Sequence, residues 1–423
     1  MLAKLIALLL IVIPLYPKFP ILSVSGTFVS VRLEDFLIAI VFLIYIVKKP
    51  SFPSPVHKSL LLYLFIGFTS AFSAIVLTKS VTLNLGILHL FRRLEYMSLF
   101  FVAFSFLRSL SQIPFLIRTI LITSLLVAIY GLGQQFLSFP VITTTNSEFS
   151  KGLALTLGPN ARINSTFAGH YDLAAYTVFP LLLIIGLFAL PATKKKPILL
   201  IVGALVYWTL LLSASRVTFA AFYLTTAIFV WIIGKRVWII PLVLLAVLSV
   251  LFSPQLAGRY RQLIVDQFLS YVPVAHAQTA VDQQTPDALK APQAPEDRSF
   301  NIRLKAEWPR AVRAFLKNPV LGTGYSSVGL ATDNDYLRSL AESGILGLLA
   351  FLLIIIRFFK TSLPHIINFH LTLESIFILS ATLALFSLLL NALFIDVFEA
   401  SKIALLTWLT LGLAEKTKIL IKS

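Results

Sequence analysis

The sequence predicts an all-α integral membrane protein with about twelve transmembrane helices. Of the 423 residues, 58% are hydrophobic and 13% are charged, and the mean hydropathy of +0.91 is far too high for a soluble globular domain. The apolar residues are concentrated in twelve runs, and Lys and Arg collect in every second connection between these runs. This pattern is typical of a chain that crosses the bilayer repeatedly.

The twelve apolar runs are the predicted helices. A span requires roughly 20 apolar residues, so some of the runs suffice only if they are extended by flanking residues or tilted. They cover residues 2–17, 33–47, 59–77, 86–107, 114–137, 171–190, 198–213, 217–233, 238–252, 336–356, 373–394 and 398–414. The first run resembles a signal peptide in length, but no small-x-small cleavage pattern follows it, so we interpret it as the first helix.

The basic connections define the cytoplasmic side, because cytoplasmic loops carry the excess of Lys and Arg. Their basic residues are Lys48, Lys49, Lys58, Arg108, Arg118, Lys194, Lys195, Lys196, Lys235, Arg236, Arg357, Lys360, Lys416, Lys418 and Lys422. Both termini are therefore predicted to be cytoplasmic. The net charge of +17 is explained by this topology and not by a nucleic-acid partner, because the basic residues lie between apolar runs.

One connection is long enough to divide the chain into three regions. Residues 1–253 contain predicted helices one to nine, residues 254–335 form an extracytoplasmic loop, and residues 336–423 contain helices ten to twelve with a cytoplasmic tail. A loop of this length is expected to hold structure of its own. Within it, residues 276–298 have almost no large apolar side chains and are typical of a disordered insert.

The second half of this loop has a helical pattern. From Ser299 to Phe315 apolar residues recur at helical spacing with basic residues between them, which favours an amphipathic helix on the membrane surface. Pro309 is expected either to kink this helix or to begin a second one. Residues 318–324 then form a turn marked by Pro and Gly that leads back to the bilayer.

Three arginines on the predicted outer side are candidates for binding an anionic ligand: Arg162, Arg216 and Arg303. A guanidinium group offers planar, bidentate donors that match phosphate oxygens, and it stays charged at any physiological pH. The alternative is that each arginine reaches for lipid phosphates at the interface. Their position on the side that normally lacks Lys and Arg favours a binding pocket.

Carboxylates cluster at the start of the tenth predicted helix. The acidic residues of Asp333–Asp335 could act in a site or could simply cap the helix. Glu342 lies one to two turns further into an apolar run, where a carboxylate is costly unless it is paired, so it requires a cationic or hydrogen-bonding partner. Gly344 and Gly347 beside it are expected to allow close approach of another helix.

The fourth predicted helix carries His89, Arg92, Arg93 and Glu95 in its outer half. Arg92 and Glu95 are three residues apart and could form a structural pair, or these residues could line the outer cavity. His170 opens the sixth helix. Such a histidine is more often an interfacial or capping residue than a catalytic one.

The sequence also argues against several other classes of protein. It contains no cysteine, which excludes disulfides, thiolate catalysis and cysteine-based metal sites. It has no Gly-rich phosphate loop and no His or carboxylate cluster with metal-ligand spacing, so neither a metal nor another cofactor is predicted. A nucleotide-driven pump is not expected for the same reason.

Across roughly residues 150–350 the chain resembles the bacterial O-antigen ligase and polymerase family, the Wzy-type membrane glycosyltransferases. The resemblance is one of order and spacing, and it is carried by these segments: 161–170 with its Arg, Thr-Phe, Gly and His; the Ser-Arg motif of 213–216; 301–308; 318–324; and 334–344. Each segment is weak alone. Their order, with the long loop between helices nine and ten, makes the combination specific.

The resemblance implies a GT-C-like fold and a metal-independent transfer of a glycan on the outer face of the bacterial cytoplasmic (inner) membrane. The implied donor is an undecaprenyl-diphosphate-linked glycan, and the acceptor is a saccharide or another molecule such as a lipid. Arg216 and Arg303 would hold the diphosphate and stabilise the charge of the leaving group, while Arg162 would shape the cavity. The remaining predicted substrate-binding residues are His170, Asn334 and Glu342.

Asp333 occupies the position before the Asn-x-Tyr-Leu segment where ligases of this family usually have histidine. The resemblance makes Asp333 the predicted general base, although an aspartate with an ordinary pKa near 4 is a weaker base than histidine. This difference favours a polymerase, or transfer to an acceptor other than lipid A core.

Two other classes of function fit the sequence less well. A secondary transporter of a small anion such as bicarbonate would normally place its polar residues near mid-membrane, whereas here they collect at one surface. A non-catalytic membrane scaffold would not require three arginines on the outer face and a carboxylate within a span.

Overall fold

The computed structural model describes residues 2–17, 21–23, 30–48, 54–141, 157, 161–252, 302–329 and 332–422. Within these ranges an α-helix coincides with each of the twelve predicted runs, and one further helix lies in the long loop. The helices are α1 (Leu2–Leu15), α2 (Leu33–Val47), α3 (Pro55–Phe72), α4 (Leu83–Phe106), α5 (Ile113–Phe136), α6 (His170–Ala189), α7 (Lys196–Ser213), α8 (Arg216–Ile232), α9 (Ile239–Phe252), α10 (Trp308–Lys317), α11 (Asp335–Ile367), α12 (Leu373–Asn391) and α13 (Ser401–Lys422).

Shorter elements extend or connect these helices. Two π-helical turns, Ser73–Leu77 and Arg303–Glu307, follow α3 and precede α10, and two 3-10 turns, Leu110–Gln112 and Arg236–Trp238, precede α5 and α9. Two-residue strands, β1 (Leu22–Ser23) and β2 (Ser30–Val31), pair in antiparallel fashion before α2.

Six helical segments of the described chain are long and apolar enough to cross a membrane: Pro55–Leu77, Leu110–Phe136, His170–Ala189, Lys196–Ser213, Asp335–Ile367 and Leu373–Asn391. Shorter apolar helices are Leu2–Leu15, Arg216–Ile232 and Arg236–Phe252. Large apolar side chains are widely exposed on the outside of the bundle, as expected for a surface in contact with lipid. The mostly helical membrane fold is therefore confirmed, while the number of twelve spans stays a prediction.

The ends of the helices follow from local sequence signals. Ser54 caps α3 by accepting a hydrogen bond of 3.2 Å from the backbone N–H of Val56, and Pro55 occupies the first turn, where no N–H is needed. Thr372 caps α12 in the same way, at 3.2 Å from the N–H of Ser375. These caps fix where two of the long helices begin.

Helix α11 is interrupted where the turn 318–324 packs against it. Gly344 has φ 68° and ψ −170°, which breaks the helical hydrogen bonding, and the turn pairs with the freed backbone. Thr323 N–H donates to the carbonyl of Ala341 and Ile345 N–H donates to that of Pro319, both at 2.9 Å. A side chain at Gly344 would collide with the backbone of Val320. The expectation that another helix approaches here was wrong for Gly344, since a turn occupies the place.

The amphipathic segment of the long loop is helical from Ile302 onward. Pro309 lies in the first turn of α10, directly after the π-helical turn. Of the two alternatives, the proline begins a second helical element. The predicted disordered insert at 276–298 lies outside the described residues.

Several connections meet at one end of the bundle: residues 30–33, 73–86, 161–170, 213–216, 302–329, 332–335 and 391–402. We call it the outer end, because the sequence predicts that these connections face outward. The side chain of Ser80 donates to the carbonyl of Thr323 at 2.7 Å, and the N–H of Asp335 donates to that of Ala392 at 2.9 Å. The connections that carry the predicted site residues are thereby held against one another.

Candidate functional site

The central feature of the outer end is an ion pair between Arg303 and Asp333. Nη2 of Arg303 lies 2.7 Å from Oδ2 of Asp333, and Nε of the same guanidinium donates to that oxygen at 2.9 Å. The arginine side chain is 8% exposed and the aspartate side chain 29%. The pair therefore joins the π-helical turn before α10 to the start of α11 and leaves the carboxylate partly accessible.

The environment of Asp333 favours a basic carboxylate. Burial raises the pKa of Asp333 above its usual range; the Arg303 guanidinium opposes the rise and the Asp396 carboxylate adds to it. A higher pKa makes the carboxylate a stronger proton acceptor, provided that it is still ionised at the working pH.

A second pair at the outer end joins Arg162 to His170. Nη1 of Arg162 lies 2.7 Å from Nε2 of His170, and since a guanidinium can only donate, the histidine nitrogen accepts. The next residue, Tyr171, lies close enough to Arg303 to contribute to the raised pKa of the guanidinium. The start of α6 therefore lies near both pairs, which brings four of the predicted site residues into one region.

Arg216 begins α8 at the same end of the bundle. The preceding segment is held by a hydrogen bond of 3.4 Å from the N–H of Ile163 to the carbonyl of Leu212. Within the first turn of α8, Thr218 donates to Oδ1 of Asn391, at the end of α12, at 2.5 Å. These contacts fix the start of α8 between the Arg162 segment and the end of α12.

Asn334 and Glu342 lie in the packing below this surface. Oδ1 of Asn334 caps α11 by accepting from the N–H of Leu337 at 2.9 Å, and its Nδ2 donates to the carbonyl of Leu393 at 3.1 Å. The predicted cationic partner of Glu342 is confirmed: Arg338 lies at 3.3 Å and Arg93 at 3.6 Å. Substrate binding by Asn334 or Glu342 stays a prediction.

The charged residues of α4 divide between two environments. The predicted Arg92–Glu95 pair is confirmed at 2.8 Å, and Asp35 of α2 is a further partner of Arg92 at 2.8 Å. Arg93 instead pairs with Glu399 and lies 5.2 Å from the centre of the Tyr325 ring. It lines a cavity of about 30 Å³ that Glu342 and Arg338 also line.

Asp396 and Arg338 are functional candidates that the sequence reasoning missed. Oδ2 of Asp396 lies 2.8 Å from Nη2 of Arg338 and accepts from the backbone N–H of Thr332 at 2.8 Å and of Asp333 at 3.1 Å. Its Oδ1 accepts from the N–H of Asn334 at 3.1 Å. The available signals were an acidic residue in a very short outer connection and an arginine four residues before Glu342.

Lys402 was also missed. It is almost fully buried at the start of α13, and its ammonium donates to the carbonyls of Pro14, Tyr16 and Thr166 at 2.9, 2.7 and 2.7 Å. It therefore holds the end of α1 against the segment that carries Arg162. Among the described residues, no group of three or more His, Asp or Glu side chains could hold a metal ion.

Residues 198–352 match the protein family described as O-antigen ligase. The matched range extends from α7 into α11 and includes Arg216, Arg303 and Asp333. The resemblance to an O-antigen ligase or polymerase type of family is confirmed, and it supports a glycosyl-transferring membrane enzyme. No curated protein matches the chain.

Proposed function

We propose that this protein transfers a glycan from an undecaprenyl-diphosphate donor to a saccharide or other acceptor on the outer face of the bacterial cytoplasmic membrane. The observation that carries the proposal is the partly open Arg303–Asp333 pair, which lies within the range matched to O-antigen ligases. It combines a cation suited to a phosphate group with a carboxylate that can take up a proton.

The proposed reaction is a direct displacement that inverts the anomeric centre. Asp333 removes the proton of the acceptor hydroxyl as its oxygen attacks the anomeric carbon. The bond from that carbon to the diphosphate oxygen breaks, and its electron pair leaves with the lipid diphosphate. Arg303 stabilises the charge that develops on the leaving group, an effect that is strongest in a site from which water is excluded.

The pairing of Arg303 with Asp333 gives donor binding a specific consequence. In the structure both groups are occupied with each other. A bound diphosphate would compete for the guanidinium and release the carboxylate to accept a proton. Base and donor site would thereby be coupled, so that the base becomes available when the donor is in place.

The other outer arginines have supporting roles in this proposal. Arg216, at the start of α8, would bind the diphosphate together with Arg303, because the helix N-terminus adds to the positive potential there. Arg162 is oriented by His170 and would shape the wall of the cavity. Asn334 and Glu342 would act on the glycan indirectly, because their side chains are engaged with the backbone and with Arg338.

The finer assignment is a polymerase, or a transferase whose acceptor is not lipid A core, because Asp333 stands where the ligases usually have histidine. Twelve spans, cytoplasmic termini and an outward-facing site complete the proposal, and membrane lipids are the surrounding partners. Secondary transport of a small anion such as bicarbonate receives no support from the family match.

The test is the lipid-linked glycan pool of the native host after single substitutions. Arg303→Ala or Asp333→Ala should abolish the transferred product and cause unprocessed lipid-linked units to accumulate. Lys305→Ala is the matched control, since Lys305 is an exposed cation on the same turn as Arg303. Unchanged glycan in both variants, with altered uptake of an anion, would contradict the proposal.

A further inference from the structure

We propose that Asp396 is a positioning residue for the reaction: it holds the backbone of residues 332–334 so that the Asp333 carboxylate faces Arg303. The inference rests on the proposed function of Asp333. It concerns the connection between α12 and α13, which lies outside the range matched to the family. The Asp396 carboxylate bonds to Arg338 and to the backbone of residues 332–334, so its effect would pass through Asp333.

The contact geometry makes Asp396 a backbone clamp. Its carboxylate accepts hydrogen bonds from the N–H groups of Thr332, Asp333 and Asn334 at 2.8, 3.1 and 3.1 Å. Three successive amides are thus directed at one side chain from another part of the chain. Such charge-assisted bonds fix a backbone more firmly than neutral ones do.

The backbone at Asp333 requires a clamp of this kind. Asp333 has φ +49°, in the left-handed region that residues other than glycine seldom adopt. A residue keeps such a conformation only when its surroundings impose it. Without the Asp396 bonds the segment could relax to an ordinary conformation, which would turn the Asp333 side chain away from Arg303.

Asp396 is itself held rigidly. Nη2 of Arg338 lies 2.8 Å from its Oδ2, and Arg338 is a buried residue of α11. The connection is tied to the start of α11 at two further points: Asp335 N–H donates to the carbonyl of Ala392 at 2.9 Å, and Phe398 N–H donates to Oδ2 of Asp335 at 3.1 Å. The connection that carries Asp396 is therefore held in a fixed position against α11.

Asp396 also influences the charge state of Asp333. Burial opposes ionisation of Asp396, but Arg338 and the backbone donors hold its pKa below the usual range. Four charged groups act on Asp333: Arg303 and Glu307 from the π-helical turn, Arg338 from α11 and Asp396. The negative charge of Asp396 contributes to the raised pKa of Asp333, and the Arg303 guanidinium opposes the rise.

The experiment uses the full-length protein in lipid vesicles, with undecaprenyl-diphosphate-linked glycan extracted from a host strain that lacks the protein. Asp396→Asn should lower kcat by on the order of 100-fold, the effect of misplacing a reacting group by about 1 Å. The KM for the donor should not rise, because Arg303 stays in place and loses the carboxylate that competes with the diphosphate.

The matched control is Glu415→Gln at the opposite end of the bundle. Glu415 is likewise a buried carboxylate, and it accepts from Ser54, Thr361 and Lys418. We expect this variant to lose thermal stability as Asp396→Asn does, but to keep kcat and the pH profile. An equal fall of kcat in both variants would show that Asp396 acts only through stability and would overturn the inference.

Asp396→Glu keeps the test decisive if the asparagine variant does not fold. Because it retains the charge and displaces the carboxylate by one methylene, its kcat should be reduced while the KM for the donor does not rise. An undiminished kcat in Asp396→Asn, or a fall in activity caused by a raised KM alone, would overturn the inference. Asp333→Asn, assayed alongside, separates the two proposals: activity in that variant refutes the proposed base, whereas its inactivity beside an active Asp396→Asn refutes only the clamp.

Discussion

The two ends of the helix bundle each hold a cluster of charged residues, but the clusters differ in how completely they are enclosed. At the end opposite the outer one, Glu415 and Lys418 pair at 2.9 Å with both side chains 3% exposed. Glu415 also accepts from Ser54 at 2.5 Å and from Thr361 at 2.9 Å. At the outer end Arg303 is similarly buried, whereas Asp333 is 29% exposed.

We interpret this difference as one between charges that stabilise the fold and charges that take part in the proposed reaction. A buried ion pair in an apolar bundle is tolerated when its hydrogen-bonding capacity is satisfied, and the Glu415–Lys418 cluster meets that condition. The Arg338–Asp396 pair of the outer end resembles it, at 5% and 12% exposure. The Arg303–Asp333 pair, by contrast, leaves a carboxylate open to a reactant, which is the arrangement that a catalytic base requires.

We call Arg303–Asp333 the open pair and Glu415–Lys418 the enclosed cluster. The largest loss of activity is expected when the open pair is broken. Arg303→Ala should lower kcat by on the order of 100- to 1,000-fold, the usual effect of removing one donor to a developing negative charge. Its thermal midpoint should change little, because Asp333 can be solvated once the arginine is gone. Glycan transfer and thermal unfolding, measured on the same reconstituted sample, check this. A large loss of stability with normal kcat would make Arg303 structural.

The enclosed cluster should respond in the opposite way. Lys418→Ala leaves Glu415 buried without its cation, and breaking such a pair costs about 3–5 kcal/mol. The double variant Glu415→Leu with Lys418→Leu should recover much of that stability, since no buried charge then remains. Unfolding in detergent measures both effects, and kcat of the folded fraction should be preserved. A double variant as unstable as the single one would contradict the structural role.

The sequence was sufficient for the helices and for the residues of the open pair. Apolar runs predict helices directly, because lipid offers no hydrogen-bond partners and each run must pair its backbone N–H and C=O groups within itself. Arg303 and Asp333 were found because charges on the outer side of an apolar chain are conspicuous and because their motifs resemble a known family. Their mutual contact could not be read from the sequence, since 30 residues separate them.

The residues that support the site were missed for a physical reason. Asp396 acts by accepting from a backbone about 60 residues away in the chain, and Lys402 bonds to backbone carbonyls of two distant segments. Almost any residue type can supply a backbone N–H or C=O group, so such a contact cannot be recognised in the sequence of the segment that provides it. The left-handed conformation of Asp333 was equally invisible, because aspartate tolerates that region better than most residues but adopts it only at a small share of its positions.

Lowering the pH should separate Asp333 from Asp396. The pKa of Asp333 is raised, so a base at this position is protonated first and transfer is lost as the pH falls through its pKa. The pKa of Asp396 is lowered, so its contribution to stability is present above the unfolded value near 4 and is lost only as the pH falls through the folded value. Activity should therefore disappear, reversibly, at a higher pH than stability.

Activity after return to neutral pH and the thermal midpoint at each pH measure the two processes. Asp333→Asn offers a control for the second, because it should leave the acid loss of stability in place. Loss of activity and of folding at the same pH would show that Asp333 and Asp396 do not titrate separately.

The smallest effect on activity is expected from cysteine substitutions that test which end of the bundle faces outward. The chain has no cysteine, so a single introduced thiol reports its own location. Lys305→Cys, exposed beside Arg303, should react with a membrane-impermeant maleimide in intact cells, whereas Lys195→Cys, exposed before α7, should react only after the membrane is opened. Both variants should keep near-normal activity, because neither side chain takes part in the site. The reverse labelling pattern would place the Arg303–Asp333 pair in the cytoplasm, where the donor proposed for it would have to be presented on the inner leaflet.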